Sequence, residues 1–144
     1  MTNSKPLGIE DESGFSFVKE VLQGDNTCAI NFDRLQKHPQ RGYIIFELLL
    51  CEEHQTVSPF SSHPIRYWNK NARKFISLYE VIKDLNATLY LVKYKKKGTQ
   101  HEDEVLVIKV LEVDVKLGIT KEQKKPMTRS EFGEWFRILN SECC

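Results

Sequence analysis

The 144-residue chain predicts an α+β (α/β) fold, a mixed β-sheet flanked by helices, with its elements in the rough order (α or β)ββαββα. Three observations carry this. Apolar, β-branched and aromatic runs of strand length recur at Tyr43 to Cys51, Thr88 to Tyr94 and Glu104 to Asp114. A turn signature, His38-Pro39-Gln40-Arg41-Gly42, precedes the first of them and marks a hairpin. Helical periodicity appears twice, in Phe75, Leu78, Tyr79, Ile82 and Leu85, and again in Phe132, Trp135, Phe136 and Leu139.

Residues 1–12 are polar, carry Pro6 and Gly8 and lack periodicity, so they read as an arm, with one domain over 13–141 and a tail at 142–144. Phe15, Phe17, Val18, Val21 and Leu22 allow two readings. Positions 18, 21 and 22 fit a helix, whereas 15 and 17 followed by Gly24-Asp25-Asn26 fit a strand entering a turn; the helix is preferred. Cys28 to Leu35 reads as the first strand of the hairpin and residues 43 to 51 as the second. After an irregular stretch with Pro59 and Pro64, a helix capped near Asn71 runs to about Leu85. The two later strands are joined by a charged loop from Lys95 to Asp103, and a basic linker then leads to Thr128-Arg129-Ser130-Glu131, a capping box that opens the last helix.

Composition excludes little. Lys and Arg number 21 against 20 Asp and Glu, so global charge points to no class of partner. No basic start is followed by an apolar h-region and no apolar run approaches a membrane span, so the chain reads as cytosolic with no membrane partner. Cys28 and Cys51 read as small buried residues and Cys143-Cys144 as an exposed end; none has CxxC spacing. No P-loop, dinucleotide-binding glycine motif, nucleophile elbow or zinc spacing is present.

Glu47 is the exception in the most apolar run, Tyr43 to Cys51. An ionised carboxylate buried there requires a cation, a metal or hydrogen-bond donors, or else takes up a proton. If His38 to Gly42 is the loop, Lys37 pairs with Tyr43 and Asp33 falls opposite Glu47. Like charges directly opposite repel, unless a divalent cation or a shared proton lies between them. The competing reading puts Glu47 on a solvated face, with Ile44, Phe46, Leu48 and Leu50 forming the buried one and Asp33 paired to Arg34 or Arg41.

A strand bearing Asp33, a turn, a strand of the form apolar-apolar-apolar-Glu47, a helix and another apolar strand resembles the PD-(D/E)xK nuclease superfamily, especially its Holliday-junction-resolvase-like members, over about residues 29–94. The resemblance implies a restriction-endonuclease-like sheet, with Asp33 and Glu47 as the catalytic acids that bind Mg²⁺ for hydrolysis of nucleic-acid phosphodiesters. The superfamily's lysine, two residues after the Glu, is Leu49 here. Some members supply this cation from the following helix, which makes Lys74 the third catalytic candidate. The alternative is an inactive module of the same fold that binds nucleic acid, a protein partner or a second copy.

The segment before and into that helix concentrates His63, Arg66, Tyr67, Trp68, Lys70, Arg73 and Lys74. Arginine and lysine contact phosphates while aromatic rings stack on bases, so His63, Arg66, Trp68, Lys70 and Arg73 are the nucleic-acid-binding candidates. Tyr67 and Trp68 as core anchors are the competing reading. Lys93, Lys95, Lys96 and Lys97, with Lys121, Lys124 and Lys125, form two local basic clusters that suit a phosphate backbone or simple solubility.

Overall fold

The computed structural model describes residues 13–51, 57–61 and 68–144, with the backbone alone at 68–71. Its elements are α1 (Ser13–Leu22), β1 (Arg34–His38), β2 (Gly42–Leu50), α2 (Trp68–Leu85), β3 (Thr88–Tyr94), β4 (Glu104–Asp114), β5 (Gly118–Thr128) and α3 (Arg129–Glu142). The strands form a single five-stranded sheet in the order β1-β2-β3-β4-β5. Only β2 and β3 pair in parallel; the other neighbours are antiparallel. A parallel pair cannot be closed by a tight turn, and α2 lies in the connection that returns the chain to the start of β3.

The hairpin has the expected register, Lys37 opposite Tyr43. His38 and Gly42 also pair, which leaves Pro39, Gln40 and Arg41 as the turn. Gly42 has φ of 78°, a left-handed value that costs glycine nothing. The buried His38 fastens this turn: its Nδ1 accepts the Gln40 and Arg41 amides at 3.1 Å, and its Nε2 lies 3.2 Å from the Glu142 carboxylate at the end of α3. Arg34 adds a second tie to α3, donating to Asn140 Oδ1 at 2.6 Å and lying over the Phe136 ring.

The sheet is covered on both faces. Ile45, Leu89, Leu91, Leu106 and Ile108 pack with Phe75, Leu78 and Ile82 of α2. On the other face Ile44, Phe46, Tyr90, Val92, Val105 and Val107 pack with Leu139, and Phe132, Trp135 and Phe136 of α3 complete that layer. Phe46 is its centre, 5.4 Å from Tyr90 in a stacked pair and 5.2 Å from Phe136 edge to face. Arg41 reaches across to donate to the Tyr90 hydroxyl at 2.6 Å. The residues before the last helix form the expected capping box, with Thr128 accepting from the Glu131 amide at 3.1 Å and Glu131 accepting from the Thr128 amide at 2.9 Å.

Several elements differ from the sequence reading. The first hairpin strand begins at Arg34 rather than Cys28, because the Asp33 carboxylate takes the Leu48 amide at 2.7 Å, a donor that a continued β-ladder would need. Cys28 is consequently exposed; Cys51 is buried as expected. The basic linker is β5, an edge strand whose mostly polar residues pair along β4. Residues 15–22 are helical, as α1, yet α1 buries none of its residues. Among the described residues no helix is long and apolar enough to cross a membrane.

Thr128→Ala removes one half of the capping box while leaving the core intact. It is expected to cost about 1 kcal/mol, read in urea titrations as a lower midpoint with an unchanged slope.

Candidate functional site

The alternation of β2 decides what Glu47 meets. Ile45 and Leu49, its neighbours two residues away on either side, belong to the layer under α2, so Glu47 enters that layer rather than solvent. It is 3% exposed. The solvated reading is thereby overturned, and Leu48 and Leu50, expected to be buried, are the exposed residues of this strand's second half.

Two groups attend the buried carboxylate. Lys74 Nζ, on α2 directly before the core residue Phe75, forms an ion pair with Glu47 Oε1. Asp33 lies one residue beyond the last paired position, Arg34 with Phe46, and its charge and backbone amide both act on the Glu47 carboxyl. Its Oδ2 accepts the Leu48 amide, which fixes the carboxylate at the mouth of the hairpin. Arg34 and Arg41 are engaged elsewhere, with α3 and with Tyr90, so the expected alternative partners of Asp33 are committed to the opposite face of the sheet.

The electrostatics are unbalanced. Burial pushes the Glu47 carboxyl above its ordinary 4.5, and the hydrogen bond and charge of Lys74 pull it part of the way back. The Asp33 charge pushes it up again, opposed by the Asp33 backbone amide. Glu47 Oε2 is buried and has no hydrogen-bond partner among the described residues. An oxygen in that state, next to a second carboxylate, is suited to a hard cation. Among the described residues no group of three or more His, Cys, Asp or Glu converges. Two carboxylates nevertheless match the protein share of a Mg²⁺ site, where water and substrate phosphate oxygens fill the remaining positions.

Of the other sequence candidates, Arg73 is exposed on α2 beside Lys74. Trp68 and Lys70 lie in the first turn of α2, where only the backbone is described, and His63 and Arg66 lie outside the described residues. The sequence reading missed two buried cations. Lys93 is 5% exposed and Lys95 is 1% exposed, although both were grouped with surface lysines. The parallel register sets Lys93 beside Leu49, and the alternation Leu89, Leu91, Lys93 puts it on the face that carries Glu47. Only the β2–β3 pairing reveals this. No protein-family model, curated protein or solved structure matches the chain.

The net upward shift of the Glu47 carboxyl means that its environment favours the protonated form. Its contribution to stability is fully present below 4.5 and is lost as pH rises through the higher folded value. Glu47→Gln is therefore expected to melt above the wild type at neutral pH, with the difference closing as pH falls below 4.5. Lys74→Met removes the partner and keeps the buried charge, and is expected to cost on the order of 1 to 2 kcal/mol, given that Lys74 is only partly buried. Adding Glu47→Gln to that variant should recover most of the loss in a double-mutant cycle.

Proposed function

We propose that this chain is a metal-dependent nuclease-like domain of the PD-(D/E)xK type, cytosolic and acting on nucleic-acid phosphodiesters. The observation that carries the reading is the buried Glu47 with one oxygen paired to Lys74, the other unpartnered among the described residues, and Asp33 across the hairpin. An acid kept at a position where a hydrophobe would pack at lower cost is best explained by chemistry.

In this reading Asp33 and Glu47 would hold Mg²⁺, which when bound supplies charge stabilisation at a phosphate oxygen and lowers the pKa of coordinated water. Lys74 lies against Glu47 and offers its ammonium to the phosphate charge or to the attacking water. Asp33 is held in place by the Leu48 amide, so the two acids are fixed before any ligand arrives. Arg73, on the exposed side of α2, contacts the nucleic-acid backbone together with His63, Arg66, Trp68 and Lys70.

A second reading has a specific observation in its favour. Leu49 packs against the α2 core at the superfamily's lysine position, and Lys74 neutralises Glu47 through a direct ion pair. An inactive module that binds nucleic acid, a protein partner or a second copy needs nothing more.

Cleavage assays with single-stranded, duplex and branched DNA and with RNA, in Mg²⁺ or Mn²⁺, separate the two readings. Asp33→Asn and Glu47→Gln are each expected to lower the rate at least 100-fold with the fold intact by circular dichroism. Cleavage that survives both substitutions rejects the nuclease reading, and salt-sensitive binding without cleavage by the wild type selects the second.

A further inference from the structure

We propose that the groove between residues 27–31 and α2 binds the phosphodiester backbone of a nucleic-acid strand and leads it to Asp33 and Glu47. This deepens the nuclease-like reading and rests on it for the identity of the ligand. The groove has a volume of about 340 Å³, within the range of small-ligand sites and matched to a nucleotide unit rather than to a duplex. Arg73, Lys74 and Ser77 of α2 form one side; Thr27, Cys28 and Asn31 contribute to the other. Arg73 and Ser77 stand four residues apart, on one helical face.

The chemistry of these walls selects an anion with several oxygens. Two cations, two hydroxyls and an amide line the groove together with the apolar Ala29 and Ile30, and no carboxylate is among the described residues that line it. Lys74 carries the ion pair with Glu47, so the positive charge the groove offers an anion is that of Arg73, set there by placement in a chain of formal net charge +1. Continuity with the acids follows from two residues. Lys74 lines the groove and pairs with Glu47, while Asn31 stands two residues before Asp33. A phosphate held at Arg73 and Ser77 would thus be followed along the same strand by one at Lys74, adjacent to the carboxylates.

Residues 27–31 are on this account a wall of the substrate groove, which explains why the chain leaves the sheet before Asp33. Paired as a continuation of β1, these residues would extend the sheet edge in place of the wall they now form beside Arg73. Cys28 provides a reporter on that wall, because Cys51 is buried and the remaining cysteines are at 143 and 144.

The test uses a fluorescent oligothymidylate and chelator, so that binding is measured without cleavage. Arg73→Ala is expected to weaken binding roughly tenfold and to lower the slope of log K against log salt by about 0.7. Ser77→Ala should weaken it by a smaller factor, and Arg137→Ala on α3, across the sheet, should leave it unchanged. In a Cys143→Ser, Cys144→Ser background, the oligonucleotide should slow maleimide modification of Cys28, and Arg73→Ala should abolish that protection. Cys28 modified at the same rate with and without oligonucleotide, or equal binding by wild type and Arg73→Ala, overturns the groove. Divalent-dependent cleavage retained alongside either result leaves the nuclease reading standing. Protection of Cys28 with no cleavage in any divalent metal upholds the groove and removes the nuclease.

Discussion

The register of β2 is the constraint on which the other features depend. This strand pairs on one side with β1 and on the other with β3, and helices cover both of its faces. A slip of one residue would exchange the two faces, sending Phe46 into the α2 layer and Glu47 into the aromatic layer of Tyr90, Trp135 and Phe136. Neither exchange can be absorbed. The α3 side is built around the Phe46 ring, while the α2 side provides Lys74 for a carboxylate. The three-residue turn, its His38 acceptor and the left-handed Gly42 fix the register locally, and the parallel pairing with β3 fixes it again from the other edge.

Within that register Glu47 is an energetic liability. The upward shift of its carboxyl says that Lys74 does not fully offset burial, and the neighbouring Asp33 charge adds to the deficit. A leucine or methionine would pack against Ile45, Leu49 and Leu91 without any such imbalance. What the acid adds is a fixed oxygen without a hydrogen-bond partner among the described residues, near a second carboxylate, an arrangement with no benefit to the apolar core. The charged pair and the apolar core therefore compete for the same position on the sheet.

The sequence made legible those features whose signals are local. The hairpin register followed from five turn residues and the last helix from a capping box, and the same count brought Asp33 near Glu47, although the ladder ends one residue short of pairing them. β5 was hidden because an edge strand of Lys121, Glu122, Gln123, Lys124 and Lys125 carries no apolar alternation to read. Residues 28–33 looked like strand by residue type, but a side chain, Asp33, ends the ladder, and side-chain competition of this kind leaves no periodic trace. Lys93 and Lys95 were misplaced for a third reason. The burial of Lys93 follows from a parallel pairing between segments more than forty residues apart, that of Lys95 has no such register behind it, and charge alone assigns a lysine to the surface by default.

Leu49 carries less weight against chemistry than its position suggests. A lysine two residues after Glu47 would sit on the same sheet face, one row along, beneath α2. That space is reached equally from above, because α2 packs directly on this face and Lys74 precedes the core residue Phe75. Delivering the cation from the helix frees position 49 for a hydrophobe, and Leu49 does pack with the α2-side core. The arrangement has a cost in independence. Lys74 and Phe75 are adjacent, so the location of the ammonium is set by how Phe75 and Leu78 seat against Leu91 and Ile108. Repacking beneath α2 would move the charge as well as the helix, and the electrostatics around Glu47 are in this sense an outcome of core packing.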